Sequence, residues 1–261
     1  MNAAAENAAR APGGHTGLAR LLDRAHLALH LRLAASGWHG PSFTGLPPGA
    51  RQLALTYDDG PNDACTPQLL EILARHGARA TFFLIGRFVL ERPDLARAIA
   101  AGGHAVGNHT HTHPDLTTLA PDAIAQELDA ASRAIEDATG ARPRLFRPPF
   151  GRRRRHILAT ARARGMTPVM WRAACYDWKA GWADGIARTL RSQLRGGEVI
   201  QLHDGGHRRL GLDRSHCVQA TDELLRQLRA EGYEFVTVAE MMQGANGGAE
   251  TEDTAPGLTH S

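Results

Sequence analysis

The chain has 261 residues, 43% hydrophobic and 22% charged, which suffices for a large core and excludes wholesale disorder or a collagen-like repeat. No run of about 18 apolar residues occurs, so a helical membrane span is not expected. Thirty basic against 27 acidic residues leave +3, too small an excess to argue for nucleic acid. Cys65, Cys175 and Cys217 are scattered, with neither the even count of a disulfide framework nor the spacing of a zinc finger.

Residues 1–14, rich in Ala, Asn and Gly, and 244–261, GANGGAETEDTAPGLTHS, read as disordered tails. Residues 15–50 are expected to form an N-terminal helical extension. Leu18, Leu22, Leu29 and Leu33 fall on one stripe, which either packs on the domain or lies on a membrane surface as a basic amphipathic helix. The start carries no basic region, and His26 and His30 interrupt its most apolar stretch. The chain is therefore expected without a secretory signal, cytoplasmic or peripheral to the membrane.

From residue 51 to 243 the pattern alternates. RQLALTY predicts a strand, and TPQLLEILARHG a helix with Thr66 as cap, Pro67 at its first position and Gly77 at its end. ATFFLIG and HAVGN predict strands separated by a helix through PDLARAIAAGG. A helix over Pro121–Thr139, closed by Gly140, precedes a short fourth strand, LFR. A helix from about Arg152 to Arg164 leads to a fifth strand, TPVMWRAA, and one from about Asp184 to Arg195 to a sixth, EVIQLH. The helix SHCVQATDELLRQLRAEG leads to the last strand, YEFVTV. Seven strands alternating with helices imply right-handed βα units and a parallel sheet, in a chain short enough for a closed or nearly closed barrel. No phosphate-binding glycine loop follows any strand.

The polar residues that stand out all follow strands: Asp58 and Asp59 the first, His109–His113 the third, Arg147 the fourth, Asp177 and Trp178 the fifth, His203 and Asp204 the sixth. That end of a parallel β/α sheet is where active sites are built. HTHTH offers three imidazoles beside a carboxylate pair, and one Asp with two His leaves coordination positions open, as a catalytic metal needs. Spacing alone does not say which two histidines bind. Adjacent Asp58 and Asp59 point in different directions, so one can meet the metal while the other accepts a proton from water. His203 can supply a proton on the other side of the reaction, with Arg147 and Asp177 placed to orient a carboxylate and an imidazole.

TYDDGPN, HTHTHPDL, RPPFG, YDW and IQLHDG, in this order, resemble the five motifs of the polysaccharide deacetylase family, carbohydrate esterase family 4, over about residues 51–242. That family includes chitin, chitooligosaccharide and peptidoglycan deacetylases and acetylxylan esterases. The resemblance implies a distorted (β/α)7 barrel and a metal-dependent hydrolase removing N-linked acetyl groups from amino sugars of a glycan, oligosaccharide or lipid-linked sugar. It implies Asp58 as general base, and Asp59, His109 and His113 as ligands of one divalent ion, zinc first with cobalt or nickel accepted, while His111 is passive. Arg147 would steady the base, the Phe150 N–H would meet the oxyanion, and Leu202 would border the acetyl methyl. His203 would be the general acid tuned by Asp177, and Trp178 would line the site. Family members often carry Tyr at Phe150 and Asp at Ala174, which bears on substrate subclass. An O-acetyl esterase and a non-catalytic carbohydrate-binding protein are the alternatives, and all five motif acids and imidazoles are present against the latter. Arg152–Arg155, expected to open the helix after RPPFG, are either a solvated surface or a site for an anionic, phosphate-linked or acidic sugar. Without interleaved aromatics they do not argue for nucleic acid.

Overall fold

The computed structural model describes residues 17–178 and 185–247; the expected tail at 1–14, the part of the other beyond Gly247, and Asp184 lie outside the described residues. Helices and strands are numbered in chain order. β1 (Gln52–Gly60) is buried from its second residue on, as expected of a largely apolar run at the centre of a parallel sheet. β2 (Thr81–Leu84) and β7 (Val199–His203) flank it in parallel, and β8 (Glu234–Phe235) joins its first two residues. Adding β3 (Ala105–Asn108), β4 (Leu145–Phe146), β5 (Thr167–Pro168) and β6 (Ala173–Ala174) gives the order β5-β4-β3-β2-β1-β7-β6, all parallel. The architecture is a distorted (β/α)7 barrel.

The helices between strands are α2 (Thr66–Arg75), α3 (Gly86–Glu91), α4 (Pro93–Ala101), α5 (Pro121–Thr139), α6 (Arg155–Arg162), α7 (Ile186–Arg191) and α8 (Ser215–Ala230), with α1 (Gly17–Ala35) and α9 (Val238–Gly247) at the ends. α5 runs over its expected residues, from Pro121 in the first turn to Gly140, which takes the left-handed conformation (φ 77°) that ends a helix. Period-two alternation divides the core. Leu53, Leu55 and Tyr57 of β1 pack outward on the helices. Thr56 and Asp58 point inward, where the fully buried Arg147 meets both.

Several expectations give way to tertiary structure. The fifth strand is two short ones, because the ladder between them goes elsewhere: Met170 donates to the carbonyl of Phe43, Phe43 to that of Pro168, Leu46 to that of Gly197 and Val199 to that of Thr44. A segment from the N-terminal extension thus bridges the open side of the barrel, from β5 to the start of β7. Thr66 does not cap α2; its hydroxyl accepts the Asn62 N–H and donates to Asp204. α9 runs through residues 244–247, assigned by sequence to a tail, because Thr237 and Glu240 form a capping box at its start and Met241 is buried.

Leu22, Leu29 and Leu33 of the α1 stripe face away from the barrel. They are 61%, 54% and 53% exposed, while Leu27 and Ala34 are buried and His30 stacks on Trp171 at 5.6 Å. Nor do Arg152–Arg154 lie in a helix. α6 begins at Arg155, and Arg153 turns inward to donate to the carbonyls of Leu33, Ala34 and Ser36 at the end of α1. Basic side chains meet helix carbonyl ends favourably, and Arg153 makes this contact in place of a further turn of α6.

Candidate active site

β1 ends in a register shift between Asp58 and Gly60, with Asp59 at φ 71°. Such a bulge re-aims a side chain, so the two adjacent aspartates leave the strand in different directions. The four described non-glycine residues with positive φ, Asp59, Thr110, His113 and Phe150, all belong to motif loops of this face. Strained backbone concentrates where function holds it in place. The motif glycines answer to crowding: a Cβ on Gly60 would stand 2.5 Å from the Asp204 carboxylate, and one on Gly205 2.4 Å from the Asp59 carbonyl. The DDG and HDG loops therefore approach backbone to backbone only as glycine-containing turns.

Asp59, His109 and His113 converge, their ligand atoms all within 4.8 Å of one another, and all three are buried. Nε2 of His109 and of His113 lie 3.5 and 3.2 Å from Asp59 Oδ1, which has no hydrogen-bond partner. His109 Nδ1 donates to the Arg147 carbonyl at 2.7 Å, which leaves the Nε2 lone pair facing Asp59. Burial, reinforced by His109 and His207 against the pull of Asp59, holds His113 down to about 3, so it is neutral at ordinary pH. An orphaned carboxylate oxygen facing two imidazoles fits a divalent cation with open positions. His111 turns away, its Nδ1 against Gly86 on the α5 side.

The loop carrying these histidines is braced by residues the motif pattern does not show. Asn108 accepts the Thr110 N–H and donates to Leu128 and Ser132 of α5, and Glu127 accepts the N–H groups of His111 and Thr112. The heptad-like pattern of α5 announces its buried face, not this polar brace.

Asp58 stands beside the triad. Its Oδ1 accepts from Arg147 Nη1 at 2.8 Å and its Oδ2 from Gln201 Nε2 at 2.8 Å. Burial alone would raise its pKa; the Arg147 guanidinium, with His109 and His203, outweighs that and holds the carboxylate ionised. Arg147 lies between the rings of Phe83 and Trp171, 4.1 and 5.3 Å from their centroids. Across the β1–β7 ladder, Asp58 is level with His203. Asp177 grips that residue twice, accepting its N–H at 2.7 Å and pairing with Nδ1 at 2.9 Å. Burial pulls the His203 pKa down, but Asp177, Asp59 and Asp58 carry it up to about 9. Trp178 meets the His203 ring edge-on at 4.9 Å. Phe150 is the middle residue of a short 3-10 turn, Pro149–Gly151, with φ 56°, and its ring is edge-on to His113 at 4.6 Å.

Leu202 is a correction. Its partner across the ladder is Tyr57, and both side chains sit in the outer core. Period two gives the inward positions of β7 to Gln201 and His203, so Gln201, and not Leu202, borders the base. Sequence reasoning also passed over His207. Its ring stacks on His113 at 4.6 Å and 16°, and its Nδ1 lies 3.9 Å from Asp59 Oδ2, the oxygen opposite the one facing the imidazoles. Arg87 donates to its carbonyl.

A family model described as polysaccharide deacetylase matches residues 45–169. A chitooligosaccharide deacetylase from a Bradyrhizobium species is 40% identical over 194 residues, covering 72% of this chain and 89% of that protein. The chain belongs to the polysaccharide deacetylase family. The crystal structure of the Bc1960 peptidoglycan N-acetylglucosamine deacetylase shares the fold with a TM-score of 0.71 and 34% identity, over 77% of this chain and 92% of that one. A CE4-family pseudoenzyme from Bacillus anthracis gives a TM-score of 0.70 at 29% identity, over 77% and 71%. Membership of this family therefore does not by itself make an enzyme; the side chains decide.

Proposed function

We propose that this protein is a metal-dependent hydrolase that removes N-linked acetyl groups from the amino sugars of a glycan, oligosaccharide or lipid-linked sugar. The observation that carries the reading is the coexistence, on one sheet face, of a buried Asp–His–His triad, a carboxylate held ionised and an imidazole held protonated. An acid and a base whose environments push their pKa values apart are what amide hydrolysis requires. The similarity to deacetylases of chitooligosaccharides and peptidoglycan supports amino sugars as the substrate class. Asp59, His109 and His113 would hold the ion, and two imidazoles with one carboxylate suit zinc, with cobalt or nickel accepted. When bound, such an ion polarises the acyl carbonyl and lowers the pKa of water.

The chain's own residues do the rest. Asp58 accepts a proton from the attacking water while Arg147 and Gln201 fix its orientation. The Phe150 N–H, in the middle of the Pro149–Gly151 turn and beside His113, donates to the developing oxyanion. His203 gives its proton to the sugar nitrogen as the C–N bond breaks, and Asp177 holds the imidazolium in place. The products are acetate and the free amine. Trp178 walls the cleft. Residues 51–243 form the catalytic domain in this reading, with 15–50 as its extension. The exposed Leu22, Leu29 and Leu33, with Trp38 beyond them, support contact with a membrane surface and a location at its periphery.

Acetate release from N-acetylated oligosaccharides, read by mass spectrometry as loss of one acetyl, tests the reaction. A chelator should abolish it and added metal restore it. His113→Ala should lose the ion and His111→Ala retain it. Release from O-acetyl but not N-acetyl substrates would convert the reading to an esterase.

A further inference from the structure

Between α1 and the turn at 149–154 lies a groove of about 540 Å³, walled by His30, His39, Phe150, Arg153, Arg154 and Trp171. Phe150, whose ring meets His113 edge-on at 4.6 Å, also lines this groove, which therefore lies next to the metal triad. Its charge is one-sided. Arg152 is paired with Asp115 at 2.5 Å, but Arg153 meets no carboxylate among the described residues. Arg153 is 6% exposed, and its guanidinium is held by backbone carbonyls of Leu33, Ala34, Ser36 and Gly151. Its Nε has no hydrogen-bond partner, and neither has Nε1 of Trp171 on the same wall.

A buried cation without a counter-charge is costly. The carbonyl end of α1 supplies roughly half a unit of negative charge, which leaves the rest uncompensated. Exposed Arg154 adds a full charge at the groove's mouth. Burial and Arg153 both lower the pKa of His30 and His39, so at ordinary pH these imidazoles are neutral and can donate or accept.

We propose that this groove binds an oxyanion, phosphate or carboxylate, borne by the substrate next to the amino sugar whose acyl group reaches the metal triad. The inference rests on the deacetylase reading above. An oxyanion there completes the charge of Arg153 and meets the forked guanidinium of Arg154.

The test is calorimetric binding of glucosamine oligosaccharides to the metal-loaded full chain, with a neutral, a phosphorylated and a carboxylated version of one oligosaccharide. At low salt one or both anionic versions should bind at least about tenfold tighter than the neutral one. The version preferred identifies the anion. In Arg154→Glu the preference should shrink to about threefold or less, and it should fall with salt in the wild type. Equal affinities for all three overturn the proposal. So does a preference that Arg154→Glu leaves intact, since the anion then reports from the metal centre. Acetate release is scored separately, on the N-acetylated counterparts of the same three oligosaccharides: its absence with the anion preference present overturns the deacetylase reading and leaves the groove standing.

Discussion

From β4 through β3, β2 and β1 to β7 the strands are joined edge to edge by parallel ladders, whereas on the open side residues 43–46 make the closure, a seam running from β5 to the start of β7, with α1 close by. On the laddered side, side chains are placed by register: Asp58 is level with His203, and Asn108 pairs with both Leu84 and Phe146. On the seam they are placed by long-range capping, such as Arg153 on the end of α1. Rigid register suits bond-making chemistry, which tolerates little misplacement. A seam built from an added segment is where members of one family can differ in what they bind.

The largest effects are expected on the laddered side. Asp58→Asn should retain metal and substrate yet lose roughly 10² to 10⁴ in kcat, because an amide cannot accept the proton. Asp59→Asn should instead lose metal, measured by chelator competition. Near-normal turnover in Asp58→Asn would remove Asp58 from the base role, and the contrast with Asp59 with it.

His207 comes next. Its Nδ1 near Asp59 Oδ2 and its ring on His113 mark it as a positioning residue for the ion. His207→Ala should weaken metal affinity by roughly 10- to 100-fold, and His207→Asn, whose amide can face the same oxygen, should recover part of it. An unchanged metal affinity in the alanine variant would reduce His207 to a wall.

What the sequence makes legible follows the same division. Asp58, Asp59, His109, Arg147 and His203 are readable because strand ends are short-range features and the five motifs fall on them in order. Leu202 misleads by one residue, since a single step along a strand exchanges the inward face for the outward one. His207 lies two residues past the IQLHDG motif, in a loop without periodicity. Arg153 is unreadable in a different way: its acceptors lie about 120 residues back, and no local pattern announces them. α1 shows the limit of periodicity itself. The stripe is real, but the barrel buries the face carrying Leu27, His30 and Ala34.

A smaller effect concerns pH. Since His203 acts protonated and its pKa is carried up to about 9 chiefly by Asp177, kcat/KM should hold through neutral pH and fall as pH rises through about 9. The same pair stabilises the fold fully below the ordinary histidine pKa of about 6.5, and that contribution is lost as pH rises through the folded value. Asp177→Asn should move the alkaline limb of the rate profile toward lower pH. An unmoved limb would assign it to another group.

The smallest effect is expected at the seam, and it sets the two faces of α1 against each other. Leu27 is buried against the barrel, so Leu27→Ala should destabilise by about 2 kcal/mol or more in denaturant unfolding, from lost apolar burial and the cavity left behind. Leu29 is more than half exposed, and Leu29→Gln should change stability by no more than about 0.5 kcal/mol. If the outward face serves a membrane surface, the same Leu29→Gln should weaken association with anionic vesicles while leaving unfolding untouched. A Leu29→Gln variant as unstable as Leu27→Ala would mean that the stripe is covered in the folded protein, and α1 would then be a core helix with two buried faces.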